Sequence, residues 1–213
     1  MPSQASESLV LRTWPLREAD LVVSFFTRDG GKLRGVARAA RKTKNSFGAG
    51  LERLSHVTMW YSGRENRELF NLHRAELIGS QMAITVDYAG CVVLDFLAEA
   101  SDALLPPNAP DERFFRLLLA VLSYLREAPA ERAWPALNYF SLWSVRLSGL
   151  LPELRLNTES LRLAEEMLRT PVAELSPREW SARTAADLRR LMVRTIQDHI
   201  ERRLLSAALI ETL

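Results

Sequence analysis

The hydrophobic period changes near residue 80, and this change limits the possible folds more than any other feature of the sequence. Before it, five short segments rich in β-forming residues, some with alternating apolar and polar positions, are bounded by turn-forming residues, as in β-strands. The segments are residues 9–13, 21–27, 32–38, 51–61 and 68–76. Asp29-Gly30-Gly31 is a turn signal between two of them. Five short strands so close together predict a small closed barrel, because closure leaves no unpaired sheet edge.

From about residue 80 onward, apolar residues recur every three or four positions, which is typical of α-helices. One helix is predicted to end before Pro106, a second to be capped by Asp111, and a third to cover residues 137–150. Residues 176–179 have the pattern of a capping box, which predicts a helix start. Thr184 is then predicted to open a long final helix.

The same boundary separates two predicted domains, a strand-rich one in residues 1–79 and an all-α one in residues 80–213, so the fold class is α+β. The whole chain has a net charge of +2, but this charge is unevenly distributed. The first domain carries 13 Lys and Arg against 8 Asp and Glu, whereas the second carries 15 against 18. This asymmetry favours a polyanionic partner for the N-terminal domain.

The positive charge is concentrated between residues 28 and 44, where seven cations face one acid, Asp29. Alternate residues of a strand share a face, so we expect the cations of segment 32–38 on one side of it, and Leu33, Gly35 and Ala37 on the other. Three more cations follow in a flexible loop that contains Ser and Asn. A basic strand face continued by a basic loop favours contact with a phosphate backbone over a merely solvated surface. The predicted nucleic-acid-binding residues are Lys32, Arg34, Arg38, Arg41, Lys42 and Lys44.

Two aromatic residues, Phe47 and Trp60, are candidate base-stacking surfaces because of their place in the strand-rich domain. The alternative interpretation, which we favour for both, is packing. In that interpretation Phe47 packs its own loop and Trp60 covers a seam with the helical domain.

Candidate catalytic groups are scarce. His56, His73 and His199 lie far apart, with none at metal-ligand or triad spacing, and the first two are expected at exposed strand positions. The sequence has neither a GxxxxGK[ST] phosphate loop nor a GxGxxG fingerprint. The single cysteine, Cys91, excludes a disulfide within the chain and a multi-cysteine metal site. We therefore expect a non-enzymatic protein. With no visible secretory signal and no long apolar run, we also expect it in the cytoplasm without membrane association.

Several motifs together resemble the bacterial recombination mediator family RecO. They are LVLRTWPLREAD at residues 9–20, FTRDGGK at 26–32 and RGVARAAR at 34–41. LERL at residues 51–54, and Glu68-Leu69 followed by Glu76, continue the pattern. The helical remainder is similar as well, including HIERRLLS at 199–206, but is weaker as a signature.

The resemblance implies an N-terminal oligonucleotide/oligosaccharide-binding (OB) fold followed by a helical domain, in a protein of recombinational DNA repair. Family members bind single- and double-stranded DNA and anneal complementary strands. They recognise the acidic C-terminal tail of the single-stranded DNA-binding protein, and with RecR, often RecF too, they help load the RecA recombinase. The resemblance therefore implies a nucleoid-associated protein, and the family's basic DNA-binding surface maps by position onto the six cations named above.

One departure from the family concerns zinc, because many members carry a four-cysteine zinc element after the third long helix. Residues 151–177 are short here and contain no cysteine, so we expect no zinc, no other cofactor, and a plain helix over residues 157–169. Two alternatives stay open for the function. The chain is either a protein–protein adaptor that touches DNA incidentally, or an OB-fold protein that binds RNA.

Overall fold

The computed structural model describes residues 3–63 and 69–213. The chain divides into two compact units, and each consists of two stretches of sequence. Met1–Gln81 and Leu105–Phe115 form the first, here called the barrel unit, and Met82–Leu104 and Arg116–Leu213 form the second, the helical unit. Compared with the predicted boundary after residue 79, the main difference is that Leu105–Phe115 groups with the barrel.

The barrel unit contains five strands that close on one another in the order β1-β2-β3-β5-β4. Their bounds are β1 Gln4–Pro15, β2 Leu21–Thr27, β3 Gly31–Ala37, β4 His56–Ser62 and β5 Phe70–Gly79. Strands β3 and β5 pair in parallel, and the other neighbouring pairs, including β1 with β4, are antiparallel. A closed five-stranded barrel followed by helices confirms the predicted class, an OB fold with a helical domain.

The fourth strand begins later than the sequence predicted. Residues Gly48–Leu51 form a 3-10 turn, and Leu54 has a left-handed backbone with φ of 54°, so the chain becomes extended only at His56. The fifth predicted segment begins at Glu68, which lies outside the described residues, and the observed strand runs from Phe70 to Gly79.

A β-bulge in β1 decides which side chains of this strand face outward. Val10 pairs with Phe25 of β2, and both belong to the barrel core. The register then shifts so that Arg12 pairs with Ser24 and Trp14 with Val22. Without the extra residue, Arg12 and Trp14 would lie on the inward face with Val10, because strand side chains alternate with a period of two. The bulge therefore turns both side chains to the outer surface.

Within the barrel unit, the segment Leu105–Phe115 covers one end of the barrel's outer face. The centre of the Phe26 ring on β2 lies 6.2 Å from the ring centre of Phe114 and 5.5 Å from that of Phe115. Asn108 N donates to the carbonyl of Lys32 at 3.0 Å. The other end of this face stays open, since Arg12 and Arg34 are exposed there.

Seven α-helices follow the barrel strands along the chain. They are α1 Met82–Thr85, α2 Tyr88–Leu104, α3 Glu112–Glu127, α4 Pro129–Leu147, α5 Thr158–Arg169, α6 Ala186–Ile200 and α7 Leu205–Ile210. Asp111 caps α3, as predicted, because its Oδ1 accepts from Phe114 N at 2.9 Å. Asn157 caps α5 in the same way, accepting from Ser160 N at 2.9 Å, so the predicted plain helix is present. No helix in the described residues has the length and apolar character needed to cross a membrane.

Two of the predicted helices are present with different bounds, and one predicted helix start was wrong. The helix predicted over residues 137–150 already starts at Pro129, a residue suited to a first turn. The capping-box pattern at 176–179 starts no helix, because Ser176 N donates to Glu166 Oε1 at 2.8 Å and Arg178 pairs with the same carboxylate, which holds this segment along α5. The helix predicted to open at Thr184 begins at Ala186, after the left-handed Ala185, and it is followed by α7.

Candidate nucleic-acid interface

Strand β3 sorts its residues as the sequence predicted. Leu33, Gly35 and Ala37 are buried, whereas Arg34 and Arg38 are exposed and Lys32 is half-buried. Position 35 requires glycine, because a Cβ there would lie 2.5 Å from the Leu72 side chain on β5. Inward packing of one set of β3 residues therefore directs the cations outward.

The predicted flexible loop after β3 is a hydrogen-bonded turn. At its start, Ala39 N donates to Asp20 Oδ1 at 2.8 Å, and Arg41 N donates to the carbonyl of Ala19 at 3.0 Å. At its end, Asn45 Oδ1 accepts from the backbone N–H groups of Phe47 and Gly48, at 2.8 and 2.9 Å. These bonds tie the loop to the β1–β2 connection and hold its cations at the end of β3.

The six predicted residues form a surface that we call the basic face: Lys32, Arg34, Arg38, Arg41, Lys42 and Lys44. Within residues 3–63 and 69–213, no ion pair engages the last five of them. Arg28, the seventh cation of this region, differs, because it forms ion pairs with Glu7 and Glu112. The hydrogen bond to Glu112 is the main cause that raises the Arg28 pKa. The charge available to an external anion therefore lies on the basic face.

Sequence reasoning missed Arg12 and Trp14, two residues of β1 that border the basic face. Arg12 on β1 pairs with Ser24, and Ser24 pairs with Arg34, so the two arginines lie in one row across three strands. Their guanidinium carbons lie 5.0 Å (Arg12) and 5.6 Å (Arg34) from the centre of the Trp14 ring. The sequence suggested a strand end at Trp14-Pro15 and gave no sign of the bulge. The available signal was the spacing of Arg12 and Trp14, because residues two apart lie on the same face of a strand.

The two aromatic candidates, Phe47 and Trp60, differ in exposure. Phe47 is only 4% exposed and belongs to the barrel core, so its stacking role was wrong and the packing interpretation is correct. Trp60 lies half-buried on β4, where the Arg74 guanidinium stacks 3.8 Å from the centre of its ring. Its cross-strand partners are Ala5 and Arg74, neither of which belongs to the basic face. Both interpretations of Trp60 stay predictions.

The histidines of the barrel make structural contacts. His56, predicted to be exposed, has a side chain only 16% exposed, because its Nε2 lies 2.8 Å from Glu7 Oε1 and its ring packs beside Phe115. His73 is exposed and hydrogen-bonds Ser62 at 2.8 Å. Across the part of the chain that the structure describes, no three His, Cys, Asp or Glu side chains are grouped to hold a metal ion.

Comparison with known proteins agrees with this architecture. The family described as recombination protein O N terminal matches residues 1–81, and recombination protein O C terminal matches residues 86–156. A protein named DNA repair protein RecO from Koribacter versatilis is 37% identical, with 98% of each chain covered. One of the same name from Bifidobacterium longum subsp. infantis is 30% identical over 97% of this chain and 98% of its own. The protein of this name from Geobacter metallireducens is 31% identical over 70% of this chain and 61% of its own.

Proposed function

Since the chain belongs to the RecO family of DNA repair and recombination proteins, we propose that its basic face binds single- and double-stranded DNA and helps complementary strands anneal. The observation that carries this proposal is the set of exposed cations without ion-pair partners, from Arg34 to Lys44, on one end of the barrel. Cations that do not pair within the protein can replace the counterions of a phosphate backbone, and counterion release favours binding.

Annealing in this proposal involves no bond chemistry. The basic face neutralises the repulsion between two phosphate backbones and leaves the base edges free to pair. The protein accordingly acts without catalytic residues, zinc or another cofactor. The absence of cysteine from residues 151–177 supports the zinc-free form, because the four-cysteine element has no ligands there.

The proposal extends to the partners implied by family membership. The chain works with RecR, and in some settings RecF, to load RecA onto DNA coated by single-stranded DNA-binding protein, whose acidic C-terminal tail it recognises. The match to the C-terminal family model over residues 86–156 supports these partner roles for the helical unit. A protein with this function works in the cytoplasm on the nucleoid.

Charge reversal tests the DNA-binding surface. In the full chain, Arg34, Arg38 and Arg41 are changed together to Glu, and binding to a fluorescent single-stranded 30-mer is followed by anisotropy across a salt series. We expect an affinity loss of at least about 100-fold at low salt, and a salt slope shallower by about two, because three phosphate contacts are removed. The matched control reverses Arg162, Arg169 and Arg194, three exposed helical arginines, and so makes the same change in net charge. Equal affinity of the basic-face variant and wild type would overturn the proposal.

Two further measurements separate the alternatives. Nuclease footprinting gives no protection if the chain is only an adaptor, and competition with RNA of the same sequence displaces the DNA equally well if RNA is the true ligand. Annealing on DNA coated with the cognate single-stranded DNA-binding protein, with and without its acidic tail, tests the partner claim. We expect faster annealing only when the tail is present.

A further inference from the structure

An apolar strip crosses the outer surface of the barrel between two groups of cations. It consists of Trp14, Val22 and Val36, which pair directly across β1, β2 and β3 and are all half-buried. One row away lie Arg12 and Arg34, at the neighbouring outward positions of β1 and β3. A single nucleic-acid strand has the same division, with apolar base faces beside charged phosphates.

On the other side of the strip, the cations of the loop continue the pattern. Ala37, which ends β3, pairs with Leu21, and the exposed Arg38 follows. The backbone bond from Arg41 to Ala19 and the bond from Arg41 Nη1 to the Glu18 carbonyl, at 3.0 and 3.3 Å, hold the loop beside the connection that follows Trp14 and Pro15. Cations therefore lie on both sides of the strip that contains Trp14.

The contacts of the Trp14 ring leave it able to exchange partners. Its neighbours Arg12 and Arg34 are both exposed, and an exposed guanidinium gains less from an indole ring than a nucleobase gains from stacking on it. A base can therefore displace a guanidinium from the ring. The displaced guanidinium remains within reach of the adjoining phosphates, which it binds more strongly.

We propose that Trp14 is the stacking platform for one unpaired base, with Arg12 and Arg34 binding the phosphates on either side of it. This inference rests on the proposed function and adds a preference to it. In a duplex the bases stack on one another and their faces are inaccessible, whereas the phosphates remain available. The basic face then binds both forms of DNA, and Trp14 favours the single strand.

The variants Trp14→Ala and Trp14→Phe of the full chain test this inference by anisotropy with a 20-nucleotide oligothymidine and with a 20-base-pair duplex. Trp14→Ala should weaken single-strand binding about tenfold, the loss expected for one base stack, and should change duplex binding less than twofold. Trp14→Phe should recover most of the loss. The control is Trp180→Ala, which also removes a half-buried tryptophan beside an arginine but lies in the helical unit, and it should bind both DNAs like wild type.

Irradiation of the wild-type protein with oligonucleotides carrying 5-bromouracil gives a direct readout that does not depend on a variant's folding. A crosslink at Trp14, identified by mass spectrometry, supports the platform. A crosslink confined to other residues overturns it, as does an equal loss of single-strand and duplex binding in Trp14→Ala. The charge-reversal variant separates the two proposals: if it loses all DNA binding while Trp14→Ala binds like wild type, the basic face stands and the platform fails. Competition with oligouridine shows whether the platform also accepts RNA.

Discussion

Gly31, where β3 begins, is the residue whose replacement has the most definite consequence. Its backbone is left-handed, with φ of +75°. A Cβ at this position would lie 2.4 Å from the backbone of Ala109, in the segment that covers the outer face of the barrel. Backbone atoms cannot move aside as a flexible side chain can, so both the φ angle and the close approach require glycine here.

Gly31→Ala should therefore lower the free energy of unfolding by about 2–4 kcal/mol, the combined cost of a left-handed alanine and of displacing the Ala109 backbone. The matched control is Gly48→Ala, where φ is +50° but a Cβ would meet nothing within 4 Å. We expect this control to cost only about 1 kcal/mol. Urea unfolding of the two variants beside wild type measures the difference, and equal losses would contradict the close contact with Ala109.

At the scale of single elements, the short helix α7 obtains its N-terminal cap from another helix. The carboxylate of Glu99 on α2 accepts hydrogen bonds from Leu205 N, Ser206 N and Ser206 Oγ, at 3.0, 2.8 and 2.7 Å. Arg202 Nη1 also lies 3.3 Å from Glu99 Oε1. Burial alone would raise the Glu99 pKa, but these bonds outweigh it and lower the pKa below the usual glutamate value. The ionised form of Glu99 therefore holds α7 on α2.

This arrangement predicts how stability depends on pH. Because the folded-state pKa of Glu99 is depressed, its contribution is fully present above the unfolded value of about 4.3 and disappears as the pH falls through the folded value. Glu99→Gln should be less stable than wild type at pH 7, and the gap should close toward pH 3. Unfolding of both proteins between pH 7 and pH 3 tests this, and a gap independent of pH would show that ionisation of Glu99 contributes nothing.

The elements also show where sequence reasoning succeeds and where it stops. The alternation in β3, the cap at Asp111 and the helix in residues 157–169 depend on neighbouring residues, and the sequence predicted them correctly. The β1 bulge, the Glu166 contact that holds Ser176, and the partners of His56 depend on residues distant in the chain. No local pattern encodes such contacts, which is why the outward turn of Arg12 and Trp14 had to be observed.

At the scale of the whole molecule, the barrel unit is discontinuous in sequence. Its strands lie in Met1–Gln81, but Leu105–Phe115 completes its surface by covering Phe26. The N-terminal family match ends at residue 81 and so leaves this segment out.

A fragment of residues 1–81 should therefore bind a hydrophobic dye such as ANS more strongly than the full chain does, because the Phe26 ring, fully buried in the full chain, becomes exposed. Phe26→Ser in the same fragment should remove most of the added dye fluorescence. If the fragment binds no more dye than the intact protein, the covering role of Leu105–Phe115 is wrong.

The discontinuity of the barrel unit has a consequence for synthesis on the ribosome. The five strands are complete once Gly79 has been made, but the segment that covers Phe26 ends at Phe115. At 5–20 residues per second, the intervening stretch takes roughly 2–7 s to translate. During that interval a barrel that has already formed presents an uncovered aromatic surface, so a translational pause between residues 81 and 115 prolongs the exposure of Phe26.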